Sequence, residues 1–410
     1  MKHYVIIGNG VAAAGCIEGI RSRDKESKIT VVSEERHIVY CRPLISYYLE
    51  GKSKLENMSY RGNDFYERMN CHVLFQRKAI GIDAEKKRVS LDDGEKLSYD
   101  ELLVASGSSP FVPPFKGLDT VEKKYSFMTL DDALALEKGI DKESNVLIIG
   151  AGLIGLKCAE GLLERVKSIT VCDLADRVLS SILDSDCAAL MQRTLDKKGI
   201  SFLLGDSVTE FRKNRADMQS GKCVPFDVLV LAVGVRANTA LVKNIGGEIG
   251  RGIVVDDRMQ TSIANIYAAG DCAEGMDISL GKRRVLAILP NAYMQGFTAG
   301  VNMAGGEMDH SKAIPMNSIG FFGMHAMTAG TYEGDMYEER GENSLKRLFT
   351  KDGLLKGYIL IGCDERAGIY TSLIRERTSL DSINFDILKK AATTVAFSRE
   401  ERKRKFGGAV

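Results

Sequence analysis

No two of the nine cysteines stand in a CxxC or CxxxxC pair; Cys16, Cys41, Cys71, Cys158, Cys172, Cys187, Cys223, Cys272 and Cys363 are scattered. That scatter argues against a zinc site, a cluster with local cysteine spacing and a redox dithiol, and most of them read as small buried hydrophobes. His3, His37, His72, His310 and His325 show no metal-ligand spacing, so no metal is expected. No window approaches the roughly 18 uninterrupted apolar residues of a membrane span. MKHYVIIGNG runs directly into a short apolar strand, without the apolar stretch and cleavage site of a signal peptide; a cytoplasmic protein is expected. Charge of one sign is lacking too, with 56 basic against 55 acidic residues. With no basic-aromatic pattern either, nucleic acid is not an expected partner.

What is present is a globular balance over 410 residues, 44% hydrophobic and 27% charged, long enough for two or three domains. Two segments share one pattern. The first is Tyr4-Val-Ile-Ile, then Gly8-Asn-Gly10-Val-Ala-Ala13 and a helical stretch; the second is Val146-Leu-Ile-Ile, then Gly150-Ala-Gly152-Leu153-Ile154-Gly155 and another. Each continues into a β-branched run, Lys28 to Val32 and Ser168 to Val171, followed by acids: Glu34 and Glu35 in one, Asp173 in the other. Strand, glycine turn, helix, strand and acid make up the dinucleotide-binding unit. Its first glycine makes the turn, the second lets a diphosphate approach the backbone, and the third position is small so that helix and strand can pack. N–H groups at the helix start meet the phosphates, and the acid accepts from the adenosine ribose. One such turn alone is a weak signal; two complete units are not.

Between the units, Ala79 to Leu97 alternates around Asp92-Asp-Gly94 as a hairpin would. Tyr99 to Gly107 and Phe226 to Gly234 are apolar strands ending in small residues, and Pro110, Pro113 and Pro114 suggest a crossing between domains. From about Lys312 short strands alternate, Leu354 to Ile361 most clearly, and the tail Arg399 to Lys405 reads as exposed and mobile. The expected fold is α/β: two Rossmann-like domains plus a smaller α+β C-terminal domain. The boundaries are 1–112 with 241–310 for the first, 113–240 for the second, 311–395 for the third, and 396–410 for a basic tail.

The elements Gly8-Asn-Gly10, Tyr40-Cys-Arg42-Pro43, Ala105-Ser106-Gly107, Gly150-Ala-Gly152-Leu-Ile-Gly155, Gly234-Val-Arg-Ala-Asn238, Ala269-Gly270-Asp271 and Pro290-Asn291-Ala-Tyr-Met-Gln295-Gly occur in that order. Together they resemble the two-dinucleotide-fold flavoproteins of the pyridine nucleotide–disulfide oxidoreductase superfamily. Leu355 to Thr378 more loosely resembles the NADH:rubredoxin reductase and nitrite-reductase flavin-domain branch. The resemblance implies FAD in the first unit and NAD(H) in the second. It implies that Asp271 bonds the flavin's ribityl chain and that Ala105 to Gly107 passes under the FAD diphosphate. It also implies that Pro290 to Gln295 start a helix whose positive end faces the flavin pyrimidine. Asp173 would accept from a free 2′-hydroxyl and repel a 2′-phosphate, which favours NADH over NADPH.

Two departures from the family pattern define the subclass. The position of the single redox cysteine in relatives falls at Pro43, and Cys41 lies two residues earlier, so disulfide chemistry is not expected. Relatives also carry a lysine where this chain has Tyr47 and a glutamate where it has Lys157, paired beside flavin N5. Either Lys157 brings its ammonium to that place with Tyr47 as hydrogen-bond partner, or it turns outward as a solvated helix residue. The expected function is an NADH oxidoreductase passing electrons through FAD to a small carrier such as rubredoxin or ferredoxin, or the reverse. The alternatives are an NADH oxidase or peroxidase, and a NAD(H)-responsive flavoprotein that binds a partner. A homodimer, or a place as one subunit of a larger redox complex, stays open.

Overall fold

The computed structural model describes residues 1–363 and 365–406, with side chains through Lys403. Two five-stranded sheets repeat one order over four of their strands, the fifth joining the edge from later in the chain in the first and from earlier in the second. Across the first run Ile266–Ala268, Glu101–Val104, His3–Ile7, Lys28–Ser33 and Cys71–Phe75; across the second run Lys124–Tyr125, Val228–Leu231, Asn145–Ile149, Ser168–Asp173 and Ser201–Leu204. All neighbours pair in parallel. The strand that leads into each glycine turn is central, and its apolar residues are buried on both faces, as a parallel sheet requires: Val5, Ile6, Leu147 and Ile148 are fully enclosed.

Helices follow the glycine turns, Val11–Arg23 in the first unit and Leu153–Leu162 in the second. The first lies backbone to backbone along Leu289–Met303. A Cβ on Gly15 would come within 2.3 Å of the Tyr293 carbonyl oxygen, and one on Gly300 within 2.1 Å of that of Cys16. The repeat also extends further than the sequence suggested. Ala79 to Ser98 is not one hairpin but three antiparallel strands, Ala79–Asp83, Arg88–Leu91 and Lys96–Ser98. The extra reversal is built by Asp83, whose carboxylate accepts from Lys86 N, and by Lys87 in the left-handed region at φ +47°. A matching meander, Val208–Arg212, Arg215–Met218 and Cys223–Pro225, belongs to the second unit. The chain stretches that leave the sheets, Ser108–Pro110 and Val235–Ala237, pair antiparallel where a crossing was expected.

The chain divides into two compact bodies. One comprises Met1–Leu179, Lys198–Met276 and Arg283–Ser311 and holds both glycine-turn units; the other comprises Ser180–Lys197, Asp277–Lys282 and Lys312–Val410. The second body is built on an antiparallel sheet ordered Met316–Phe321, Met324–Gly330, Leu354–Ile361, Leu345–Lys351, Asp335–Arg340. Its core gathers Leu348, Tyr358, Leu360, Tyr370 and Leu373. Helix Ser185–Asp196 joins this body through Arg347, whose guanidinium bonds Asp184, Asp186 and Glu338. Within the tail Arg399–Phe406 is a helix, consistent with strong helix formers and Glu400 and Glu401 in its first turn. Residues 407–410 of the expected basic tail lie outside the described residues.

Candidate functional site

The two glycine turns are nearly superposable in their hydrogen bonding. Gly8 N donates to Val32 O (2.8 Å) and Gly150 N to Cys172 O (2.7 Å), while Ala105 N donates to Ile7 O (2.7 Å) and Ala232 N to Ile149 O (2.8 Å). Gly8 and Gly150 sit at φ +105° and +117°, and a Cβ on either would fall 2.1 Å or 2.2 Å from the carbonyl oxygen of Ala105 or Ala232. Both positions therefore demand glycine. At Gly10 and Gly152, by contrast, a Cβ would meet nothing within 4 Å among the described residues. The helices that start there have no side-chain cap. Open space beside the backbone and helix N–H groups without side-chain partners suit a diphosphate at each turn. The third positions differ. Ala13 is buried without penalty, but a Cβ on Gly155 would lie 1.9 Å from Gly150 O.

In the first unit, the register puts Ser33, not an acid, where the second unit has Asp173, because Ile7 pairs with Val32 as Ile149 pairs with Cys172. Glu34 and Glu35 lie beyond it. The Glu34 side chain is 70% exposed and pairs with Lys78. Glu35 is drawn inward, accepting from Arg42 (2.6 Å) and from the Tyr40 hydroxyl (2.7 Å). Tyr40 in turn accepts from Leu130 N, and Arg42 donates to Met128 O. Desolvation works against the Arg42 charge, but Tyr40, Glu35, Asp271 and Asp132 outweigh it and raise its pKa. Burial pushes the Asp271 carboxyl up, with the Arg42 charge opposing. Next to Asp271, Gly270 N donates to Gln295 Oε1 (2.9 Å), which ties this turn to helix Leu289–Met303. Asn291, in that helix's first turn, donates to Leu286 O and faces His310 Nε2 at 2.8 Å. His310 was assigned no role from sequence, and no spacing signal pointed to it.

Ser106 Oγ donates to Asn238 O (2.9 Å), and Asn238 Nδ2 returns a bond to Ser106 O (2.8 Å). The Ala105–Gly107 and Gly234–Asn238 segments are thereby joined, with Gly234 at φ +113°. Pro43 precedes helix Leu44–Leu49, which carries Tyr47. The Cys41 thiol is raised by burial, partly offset by Leu44 N–H, which is the wrong direction for a nucleophilic thiolate.

Lys157 and Tyr47 do meet, but not as expected. The Lys157 ammonium lies over the Tyr47 ring, 5.0 Å from its centroid, and its hydrogen-bond partner is Glu160 at 2.5 Å. The side chains of Lys157 and Glu160 are 14% and 6% exposed. The Lys157 side chain is thus largely enclosed, between Glu160 and the Tyr47 ring. Helix Leu44–Leu49 reaches this close because Gly161 has no side chain: a Cβ there would lie 3.0 Å from Leu49 Cβ. Glu160 was missed, although its i,i+3 spacing from Lys157 was visible.

In the second unit Asp173 bonds Ala151 N and Ala175 N, and Leu153 and Ile154 form the helix's first turn. Among the described residues no cluster of histidine, cysteine and acid could hold a metal, and no helix is long and apolar enough to cross a membrane.

A family model described as pyridine nucleotide-disulphide oxidoreductase matches residues 2–296. The chain is 33% identical over 392 residues to the NADH-dependent phenylglyoxylate dehydrogenase subunit epsilon of Aromatoleum evansii, covering 92% of each. It is 31% identical over 423 residues to an NADH oxidase of Methanocaldococcus jannaschii, covering 95% of this chain and 91% of that one. The solved NADH:rubredoxin oxidoreductase of Clostridium acetobutylicum matches with a TM-score of 0.75 at 25% identity, over 93% of this chain and 95% of that one. With two glycine turns of one register and this match across most of its length, the chain belongs to the pyridine nucleotide-disulphide oxidoreductase family, as a flavoprotein oxidoreductase that uses FAD and NAD(H).

Proposed function

We propose that this protein moves electrons between NADH and a small redox protein of the rubredoxin or ferredoxin kind, in a cytoplasmic setting, with FAD in the first unit and nicotinamide dinucleotide in the second. On this reading residues 1–112 and 241–310 form the FAD domain, 113–240 the NAD domain and 311–395 the C-terminal domain. The observation that carries it is the duplicated turn, with open space at Gly10 and at Gly152 and helix starts that no side chain caps.

When bound, FAD supplies exchange of an electron pair with nicotinamide and of single electrons with a carrier. The chain's own residues do the rest. N–H groups after Gly10 and Gly152 bind the diphosphates. Glu35, braced by Arg42 and Tyr40, serves the adenosine side of the first unit in place of Ser33. Asp271 accepts from polyol hydroxyls, and Gln295 fixes the turn that carries it. The first turn of Leu289–Met303, with Asn291, offers its positive end to the flavin pyrimidine. Lys157 stands at the reacting edge, its ammonium restrained by Glu160 and the Tyr47 ring. Asp173 accepts from the second ribose.

The second reading is an NADH oxidase, favoured by the M. jannaschii relative over nearly the whole chain. Pro43 and the raised Cys41 thiol argue against its thiol-dependent form. Stopped-flow oxidation of the NADH-reduced protein by rubredoxin, ferredoxin, oxygen, quinone and nitrite separates the two. Fast turnover with a protein carrier and slow turnover with oxygen supports the carrier reading; the opposite order overturns it.

A further inference from the structure

The Asp173 carboxylate is engaged by the backbone on both of its oxygens. Oδ2 accepts from Ala151 N (2.6 Å), inside the Gly150–Gly152 turn, and Oδ1 accepts from Ala175 N (2.8 Å). Ala151 is also gripped from its other polar group, since Leu179 N donates to Ala151 O at 2.9 Å. Leu179 does this from the left-handed region, φ +52°, with its side chain only 1% exposed. A bulky residue adopts that backbone only when its surroundings over-determine it. The carbonyl and N–H of a trans peptide point opposite ways. Holding Ala151 O toward Leu179 therefore turns the Gly152 N–H away from it, at the start of helix Leu153–Leu162.

We propose that Asp173 and Leu179 clamp Ala151 and so pre-set the diphosphate-binding turn of the second unit, making Asp173 a positioning residue for the diphosphate as well as a discriminator at the ribose. The inference rests on the reading of the second unit as the NAD(H) site. An ionised carboxylate offers about four acceptor positions; the backbone N–H groups use two, and two remain for ribose hydroxyls. The first unit has no such clamp. Ser33 stands at the equivalent position, and the turn is tied instead by the Asn9 side chain, which donates to His37 O (3.2 Å) and accepts from the Tyr66 hydroxyl (2.7 Å). Preorganisation of this kind suits a nucleotide that must come and go, because the turn does not need to be ordered afresh at each encounter.

The test uses the full-length, FAD-loaded protein in its oxidised form, with Asp173→Ala, Asp173→Asn and Leu179→Gly. Amide exchange at Ala151 is read without nucleotide, and NAD⁺ and NADP⁺ are titrated separately. Asp173→Ala speeds Ala151 exchange and weakens both nucleotides by about tenfold or more, the scale of a lost charge-assisted bond, at unchanged FAD content. Asp173→Asn keeps an oxygen for Ala151 N, so exchange stays near the parent's while NADP⁺ gains on NAD⁺. Leu179→Gly keeps the N–H donor and the positive φ but removes the buried side chain that anchors them, and so weakens both nucleotides with their ratio unchanged. An Asp173→Ala protein that exchanges Ala151 like the parent, or that merely swaps nucleotide preference, overturns the clamp, as does a Leu179→Gly protein of parental affinity. A parent that binds neither nucleotide removes the NAD(H) reading itself.

Discussion

The two glycine-turn units share sheet order, register and the carbonyl that fills the space beside the first glycine, yet they spend their small residues differently. In the first unit the helix after the turn tolerates Ala13 and uses Gly15 and Gly19 to lie against the backbone of Leu289–Met303. In the second, Gly155 lets the helix return onto its own turn, and Gly161 admits the helix carrying Tyr47. The acids differ too: the first unit keeps Glu35 in a web with Arg42 and Tyr40, whereas the second sets Asp173 directly on its turn. On the proposed reading, the first unit, tied to neighbouring elements, keeps the resident cofactor, and the second, whose acid sits directly on its own turn, admits the nucleotide that exchanges.

Substitutions at the equivalent glycines should break the comparison most sharply. Gly150→Ala drives a Cβ into Ala232 O and abolishes NADH-dependent bleaching while FAD stays bound, whereas Gly8→Ala loses FAD and lowers the melting temperature; strain at such φ values alone costs about 1–3 kcal/mol. FAD content, NAD⁺ titration and thermal unfolding read both. Next comes the third small residue. Gly155→Ala, with its Cβ 1.9 Å from Gly150 O, weakens NAD⁺ severely, but the mirror change Ala13→Gly costs only about 0.5–1 kcal/mol of stability and leaves FAD in place.

Lys157→Gln tests the cation at the inner face of the second helix. It leaves Glu160 with its Lys157 bond lost, lowers stability by about 1–3 kcal/mol, and shifts the flavin midpoint potential downward, as loss of a nearby cation should. An unchanged potential would remove Lys157 from the reacting edge. The smallest effects fall on the acids of the first unit. Glu35→Gln loosens FAD by roughly tenfold through its charge-assisted bond to Arg42, while Glu34→Gln, out in solvent beside Lys78, changes stability by less than about 0.5 kcal/mol and leaves FAD untouched. Equal effects at Glu34 and Glu35 would erase the distinction drawn between them.

Much of this was legible in the residues. Gly8, Gly10, Gly150, Gly152 and Gly155 sit in fixed order after apolar strands, and a parallel sheet leaves such a signature because both of its faces are buried. What was not legible depended on register and on the third dimension. Ser33 rather than Glu34 aligns with Asp173 because the interstrand bonds from Gly8 and Gly150 set the end of each strand, and composition does not carry that. Glu160 stood one helical turn from Lys157, but only packing of Leu44–Leu49 over Gly161 makes the pair inward-facing. The meander at Val208 to Pro225 was hidden by short, polar strands of weak alternation, and the helical tail by a charge run that reads equally as a solvated coil.

Anaerobic titration of the purified protein with NADH bears most directly on the claim that one unit keeps FAD and the other admits nicotinamide. Yellow protein that bleaches with one equivalent of NADH per FAD, and whose Gly150→Ala variant stays yellow but no longer bleaches, is the predicted result. Retained bleaching in that variant, or loss of its flavin instead, would contradict the division of labour between the two turns.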